Sequence, residues 1–170
     1  VFAALATEEK VIAVGECGLD FFYTHSPKSS QVEILEFQLD LAAKHDLPVI
    51  FHVREAFDDF WPIFGNFKGV KGVLHSFTDS SENMQKAVER GLFIGVNGIA
   101  TFAKNPDQVA VYKNIPLQKL LLETDAPYLT PTPYRGTINT PKRIRVVSEF
   151  LAELRGENLE QLAAATTQNS

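Results

Sequence analysis

Five short runs along the chain are apolar or β-branched almost throughout and are bounded by glycine, proline or polar residues: 11–15, 48–53, 72–77, 92–97 and 120–124. Continuous rather than alternating apolar runs mark strands buried on both faces of a parallel sheet. Between them the pattern changes to a helical period. Over residues 30–45, Ile34, Phe37 and Leu41 fall beside Leu35, Leu39 and Ala42, a wide apolar stripe able to cover one face of a sheet, with Lys44 and His45 in the last turn where cations suit the helix dipole. A second helix follows the capping residues Asp79-Ser80-Ser81, carries Met84, Ala87 and Val88, and stops at Gly91. A third opens at Thr140-Pro141, continues through Ile144, Val147, Leu151 and Leu154, and ends at Gly156; a last one runs from Asn158.

Strands alternating with helices give an α/β fold with a parallel sheet. No repeat, low-complexity tract or linker-like composition divides the chain, so a single domain over residues 1–170 is expected. At 170 residues, 45% of them hydrophobic, the chain can bury a sizeable core. It is short for a closed (β/α)8 barrel of about 250 residues. A net charge of -5 argues against a protein that coats nucleic acid through a basic surface, so any phosphate-binding surface must be local. With Cys17 the only cysteine, no disulfide can form within the chain, and a reducing, cytoplasmic setting fits. No run of about 18 apolar residues is present to span a membrane, and no membrane association is expected.

The ends of the apolar runs carry the chemistry. The first leads into Glu16 between Gly15 and Cys17-Gly18, which places a carboxylate at the C-terminal end of a strand beside flexible backbone. The second ends in His52-Val-Arg54, the third in His75-Ser-Phe, and the fifth delivers Glu123-Thr-Asp125. A single strand-end histidine is more often structural than a ligand, but two imidazoles and two carboxylates on four strand ends form a mixed N/O set that suits Zn, Mn or Mg. Such residues converge only if the sheet curls about a common axis, as in a TIM barrel, and this favours a barrel over a flavodoxin-like open sheet. Glu16, His52, His75 and Asp125 are therefore the expected metal ligands. Arg54 and Arg135 can offer planar donor forks to phosphate, although Arg135 reads equally well as a solvated loop residue. Phe21, Phe22 and Tyr23 either stack on unpaired bases or pack on the barrel rim.

Taken in order, Gly15-Glu-Cys-Gly-Leu-Asp-Phe-Phe, His52-Val-Arg, His75-Ser-Phe, Glu123-Thr-Asp-Ala-Pro-Tyr-Leu and Pro133-Tyr-Arg-Gly resemble the TatD family of metal-dependent deoxyribonucleases. The resemblance implies an amidohydrolase-type TIM barrel with one or two divalent metal ions at its mouth, hydrolysing phosphodiester bonds of DNA, at single strands or ends, as an exonuclease. It further implies that Glu16 bridges two metals, that His52 and His75 belong to the second metal site, and that Asp125 holds a metal and accepts the proton of the attacking water. Glu16 and Asp125 are thus the expected catalytic residues, and Arg54 and Arg135 the expected substrate-binding ones. The family's initial His-x-His is absent: His25 reads as a loop residue and His45 as a helix-terminal cation. An incomplete barrel is expected, its first two or three strands lying before Val1, and the chain by itself is expected to bind metal weakly and to be nearly inactive. The alternatives are a barrel that hydrolyses another ester or amide, and a non-catalytic domain that binds partners through an exposed barrel edge.

Overall fold

The apolar runs do form parallel strands, but the first of them begins late and runs on past its predicted end. The computed structural model describes residues 2–23 and 25–170. The chain divides into two units, Val1–His75 and Ser76–Ser170.

In the first unit the order is α1 (Phe2–Leu5), β1 (Val14–Asp20), α2 (Lys28–His45), β2 (Val49–Arg54), α3 (Phe57–Gly65) and β3 (Gly72–Leu74). β1 pairs in parallel with β2, and β2 with β3, in registers that run from Val14↔Val49 to Asp20↔Arg54 and from Val49↔Gly72 to Phe51↔Leu74. Leu19, Val49, Phe51 and Leu74 are buried in this sheet, and Leu35, Leu39 and Ala42 are the buried residues of α2. The wide stripe expected on α2 does only half its covering: Ile34 and Phe37 are 56% and 48% exposed. They line an apolar groove together with Phe2, Leu5, Val11 and Val14.

The sequence pattern gave no warning of α3, because Pro62 stands inside it. Proline removes one helical hydrogen bond and costs about 3 kcal/mol in a helix interior. Against that, Phe57, Phe60, Trp61 and Phe64 are all buried, and each buried aromatic side chain contributes about 1.5–3 kcal/mol. Phe60 and Phe64 meet Phe51 of β2 edge to face, with ring centroids 5.2 and 5.6 Å apart. Packing therefore overrides propensity.

β1 carries the main departure from the predicted bounds. Gly15 pairs with Ile50 and Cys17 with Phe51, so Glu16 has no partner and forms a bulge; the Gly15–Glu16 peptide is cis. Glu16 is thus the third residue of β1 and not its last, as expected from the apolar run 11–15. The extra residue resets the alternation of faces. Val14, Cys17 and Leu19 are buried, which leaves Glu16, Gly18 and Asp20 on the other side. Strand pairing continues to Asp20 because Gly18 lets the two backbones close up: a Cβ there would stand 1.8 Å from the carbonyl oxygen of His52.

The second unit contains α4 (Ser81–Glu89), β4 (Phe93–Val96), α5 (Pro106–Asn114), β5 (Leu120–Leu122), α6 (Ile144–Arg155) and α7 (Leu159–Asn169). β4 and β5 pair in parallel from Ile94↔Leu120 to Val96↔Leu122. The predicted caps are present: Ser80 Oγ accepts the Asn83 N–H at 3.2 Å, Asn158 Oδ1 accepts those of Glu160 and Gln161, and Gly156 takes the left-handed conformation with φ 66° that closes α6. The expected start of α6 at Pro141 is instead one 3-10 turn, Pro141–Arg143. α5 escaped the sequence reading, although Asn105-Pro106 is a start signal: Asn105 Oδ1 accepts the Asp107 N–H at 2.9 Å.

Gly18→Ala is expected to destabilise the protein by about 3 kcal/mol, since a backbone contact cannot be relieved by a rotamer change. Gly65→Ala, whose Cβ meets nothing within 4 Å, is the control. Urea midpoints that match for the two variants would show that β1 and β2 have room to spare.

Candidate metal centre

The bulge in β1 and the pleat of β2 set three polar side chains on one face of the first unit. Glu16 Oε1 lies 2.8 Å from His52 Nδ1, and Asp20 Oδ2 lies 3.0 Å from His52 Nε2. The imidazole is therefore held between two carboxylates of the neighbouring strand. Arg54, two residues beyond His52, also projects from this face, its guanidinium 3.9 Å from the ring centroid of Phe22 and 5.1 Å from that of Tyr23. The two rings, predicted either to stack on bases or to pack on the rim, are half-exposed and carry the arginine on their faces.

Asp20 was not picked out from the sequence, although its spacing from Glu16 is a signal for a shared strand face. Its Oδ1 accepts the N–H groups of Phe22 and Tyr23 at 3.0 and 3.1 Å, and this turns the chain out of β1. Gln31 of α2 brackets its backbone, accepting the Asp20 N–H at 2.8 Å and donating to its carbonyl at 3.1 Å. Burial works to raise the Asp20 pKa, but the Tyr23 N–H, the His52 ring and the Phe22 N–H together hold it below the usual carboxylate value. Cys17 lies beside Glu16 but faces the core. Burial, and then the Glu16 charge, push its thiol up to about 12.

An open cavity of about 390 Å³ is lined by Glu16, Asp20, His52, Tyr23, His25 and Gln31, among others. Among the described residues no group of three or more His, Cys, Asp or Glu side chains is already arranged as a metal cage. The pair that is assembled does fit an ion. A separation of 2.8 Å is close to the about 3 Å left between two donors bound at right angles at the usual 2.0–2.2 Å. The donors are one imidazole and one carboxylate, a set suited to divalent Zn, Mn or Mg. His75 directly follows β3, its N–H bonded to the Phe51 carbonyl at 2.9 Å, one step beyond the Phe51↔Leu74 pair. The strand-end position expected of it is thus the one it has.

In the second unit Glu123 and Asp125 lie beyond the end of β5. The Glu123 carboxylate accepts the Ser76 N–H and sits over Gly95, where a Cβ would come within 2.8 Å of it. Asn97, buried, donates to Ser76 Oγ at 2.7 Å. Asp125 has φ 55°, and its carbonyl accepts the Tyr128 N–H at 2.8 Å, forming a tight turn. Asn139 pins that turn by donating to the carbonyls of Thr124 and Tyr128 at 2.8 and 2.7 Å. Like Asp20, Asn97 and Asn139 were not marked by the sequence pattern. Arg135 lies over Phe102 at 3.9 Å and donates to the Thr130 carbonyl at 2.9 Å. Of the basic residues that follow, Arg143 donates to the Ile138 carbonyl at 2.8 Å, and Arg145 pairs with Glu149 at 2.7 Å. His45 is the last residue of α2, the place expected of it, and its Nε2 is buried with no hydrogen-bond partner among the described residues.

The chain is similar to known proteins along its whole length. The sequence pattern of the TatD-related DNase family covers residues 1–170. The chain is 39% identical to a Bacillus subtilis protein named uncharacterized metal-dependent hydrolase YabD, over 98% of this chain and 66% of that protein. It is 38% identical to the 3'-5' ssDNA/RNA exonuclease TatD of Citrobacter rodentium, again over 98% of this chain and 66% of that protein. The crystal structure of YjjV, a TatD homologue from Escherichia coli K12, superposes with a TM-score of 0.88 at 36% identity, over 95% of this chain and 62% of that one. The chain thus spans about two thirds of the length of these relatives. Its parallel α/β architecture is that of an incomplete TIM-type barrel, and the chain belongs to the TatD-related DNase family.

Proposed function

We infer that this chain supplies ligands and substrate contacts to a metal-dependent hydrolase that cleaves phosphodiester bonds of DNA, acting as an exonuclease on single strands or ends. The observation that carries this reading is the Glu16–His52 pair, 2.8 Å apart, on the same face as Arg54 and its aromatic platform. A relative named as a 3'-5' ssDNA/RNA exonuclease supports the choice of unpaired nucleic acid.

In this reading Glu16, His52, His75 and Asp125 hold one or two divalent ions, Mg, Mn or Zn. When bound, such an ion lowers the pKa of water to give a nucleophile at neutral pH and offsets charge on the phosphate. Asp125 accepts the proton of the attacking water. Arg54, held over the Phe22 and Tyr23 rings, donates to phosphate oxygens. Arg135 supplies a second cation from the loop that Asn139 pins. No helix of the described residues is long and apolar enough to cross a membrane, and the one cysteine, a buried thiol, suits the cytoplasm.

Single-stranded and duplex oligonucleotides, phosphomonoesters and amides, each assayed with added metal, test the proposal. The expected result is DNA cleavage that a chelator abolishes and Mg, Mn or Zn restores, strong in a protein extended by the upstream barrel strands and weak in residues 1–170 alone; turnover of an amide by the extended protein with no action on DNA would overturn it. Asp125→Asn should lower kcat by about 10²–10⁴-fold. Arg54→Ala is expected to raise KM for an oligonucleotide and to flatten its salt dependence, since one phosphate contact is lost. Unchanged KM at every salt concentration would remove Arg54 from the substrate site.

A further inference from the structure

We propose that Asp20 is a positioning residue: it holds His52 with the proton on Nε2 and thereby turns the unprotonated Nδ1 toward Glu16, which makes Nδ1 the metal-binding nitrogen. The proposal rests on the reading of Glu16 and His52 as ligands. Distance alone does not separate ligand from guide, since the two carboxylates stand 2.8 and 3.0 Å from the ring nitrogens.

Their surroundings do. The Glu16 side chain is 48% exposed at the bulge, and among the described residues the one partner of its carboxylate is the His52 ring, which it meets as a close ion-pair contact at Nδ1, whereas the ring's hydrogen bond is the one between Nε2 and Asp20. Asp20 is 25% exposed, with Oδ1 already taken by the Phe22 and Tyr23 N–H groups and its backbone bracketed by Gln31. A carboxylate committed in this way cannot swing to follow an ion. Its remaining oxygen, Oδ2, stands at a fixed place to accept a proton from Nε2. A neutral imidazole carries one donor and one acceptor, so a fixed acceptor at Nε2 leaves Nδ1 with the lone pair a metal needs.

Asp20→Asn separates this role from a merely structural one. The asparagine carbonyl can still accept the Phe22 and Tyr23 N–H groups, which keeps the turn and the fold. Its NH2 group then replaces Oδ2 and donates to Nε2, so the ring proton moves to Nδ1, facing Glu16. An Asp-to-Asn change in Ser-His-Asp triads inverts the histidine tautomer in the same way.

The test uses the chain of residues 1–170 labelled with 15N-histidine, at alkaline pH where imidazole is neutral, with Zn²⁺ as the probe, titrated to saturation because the chain by itself is expected to bind metal weakly. The four histidines are assigned with the aid of His52→Gln. In the unsubstituted chain, long-range 1H–15N spectra should show Nε2 of His52 protonated and Nδ1 shifting as Zn²⁺ is added. In Asp20→Asn the proton should appear on Nδ1, and Zn²⁺ affinity, read by competition with a chromophoric chelator, should fall about 10–100-fold. Glu16→Gln should weaken Zn²⁺ binding while leaving the proton on Nε2. An Asp20→Asn chain that keeps the Nε2 proton and the original affinity would overturn the role of Asp20 and leave the ligand reading standing. If His52 in the unsubstituted chain fails to respond to Zn²⁺, the ligand reading falls and the proposal with it.

Discussion

The first unit depends on one constraint: β1 must fit one more residue than β2 offers as partners. Pairing Gly15 with Ile50 and Cys17 with Phe51 leaves Glu16 over, and the bulge is where that residue goes. Everything after it is shifted by one face, so Cys17 and Leu19 complete the core while Glu16 and Asp20 reach His52 from the same side. The glycines on either side are part of the same solution. A Cβ at Gly15 would stand 2.8 Å from Ile50, and one at Gly18 would overlap the His52 carbonyl. The strands can therefore lie close enough for a short aspartate to touch the far nitrogen of an imidazole on the next strand.

Much of this was legible in the sequence, and for clear reasons. Buried parallel strands are nearly all apolar, so a polar residue at the end of such a run is conspicuous; His52, His75 and Asp125 stood out on that account. Glu16 stood out as well, but its place was misread. Strand bounds drawn from hydrophobicity stop at the first charged residue, whereas hydrogen bonding carries β1 on to Asp20. Period-2 counting also fails across a bulge, because the inserted residue breaks the parity on which the counting relies. α3 was hidden by Pro62, a local signal outweighed by four buried aromatics. Asn97 and Asn139 were invisible for a third reason: an asparagine that satisfies loop carbonyls or a serine hydroxyl looks in sequence like any other turn residue.

The second unit treats its polar groups in the same manner as the first. Glu123 is spent on the Ser76 N–H and Asn139 on two carbonyls of the turn that contains Asp125. Asp20 beside Glu16 accepts two N–H groups of the turn that follows it, and Asn139 donates to two carbonyls of the turn that contains Asp125. These bonds fix the backbone around Glu16 and Asp125, which on the proposed reading leaves less ordering to accompany binding.

Cys17 adds something of a different kind. Its side chain faces the core one residue after Glu16, and its thiolate is suppressed at neutral pH by burial and by the neighbouring charge. A thiol reagent can therefore reach it only when the packing between β1 and α2 opens. The single cysteine is thus a natural clock for opening of this strand: its alkylation rate counts how often the segment beneath the Glu16–His52 pair comes apart while the rest of the protein stays folded.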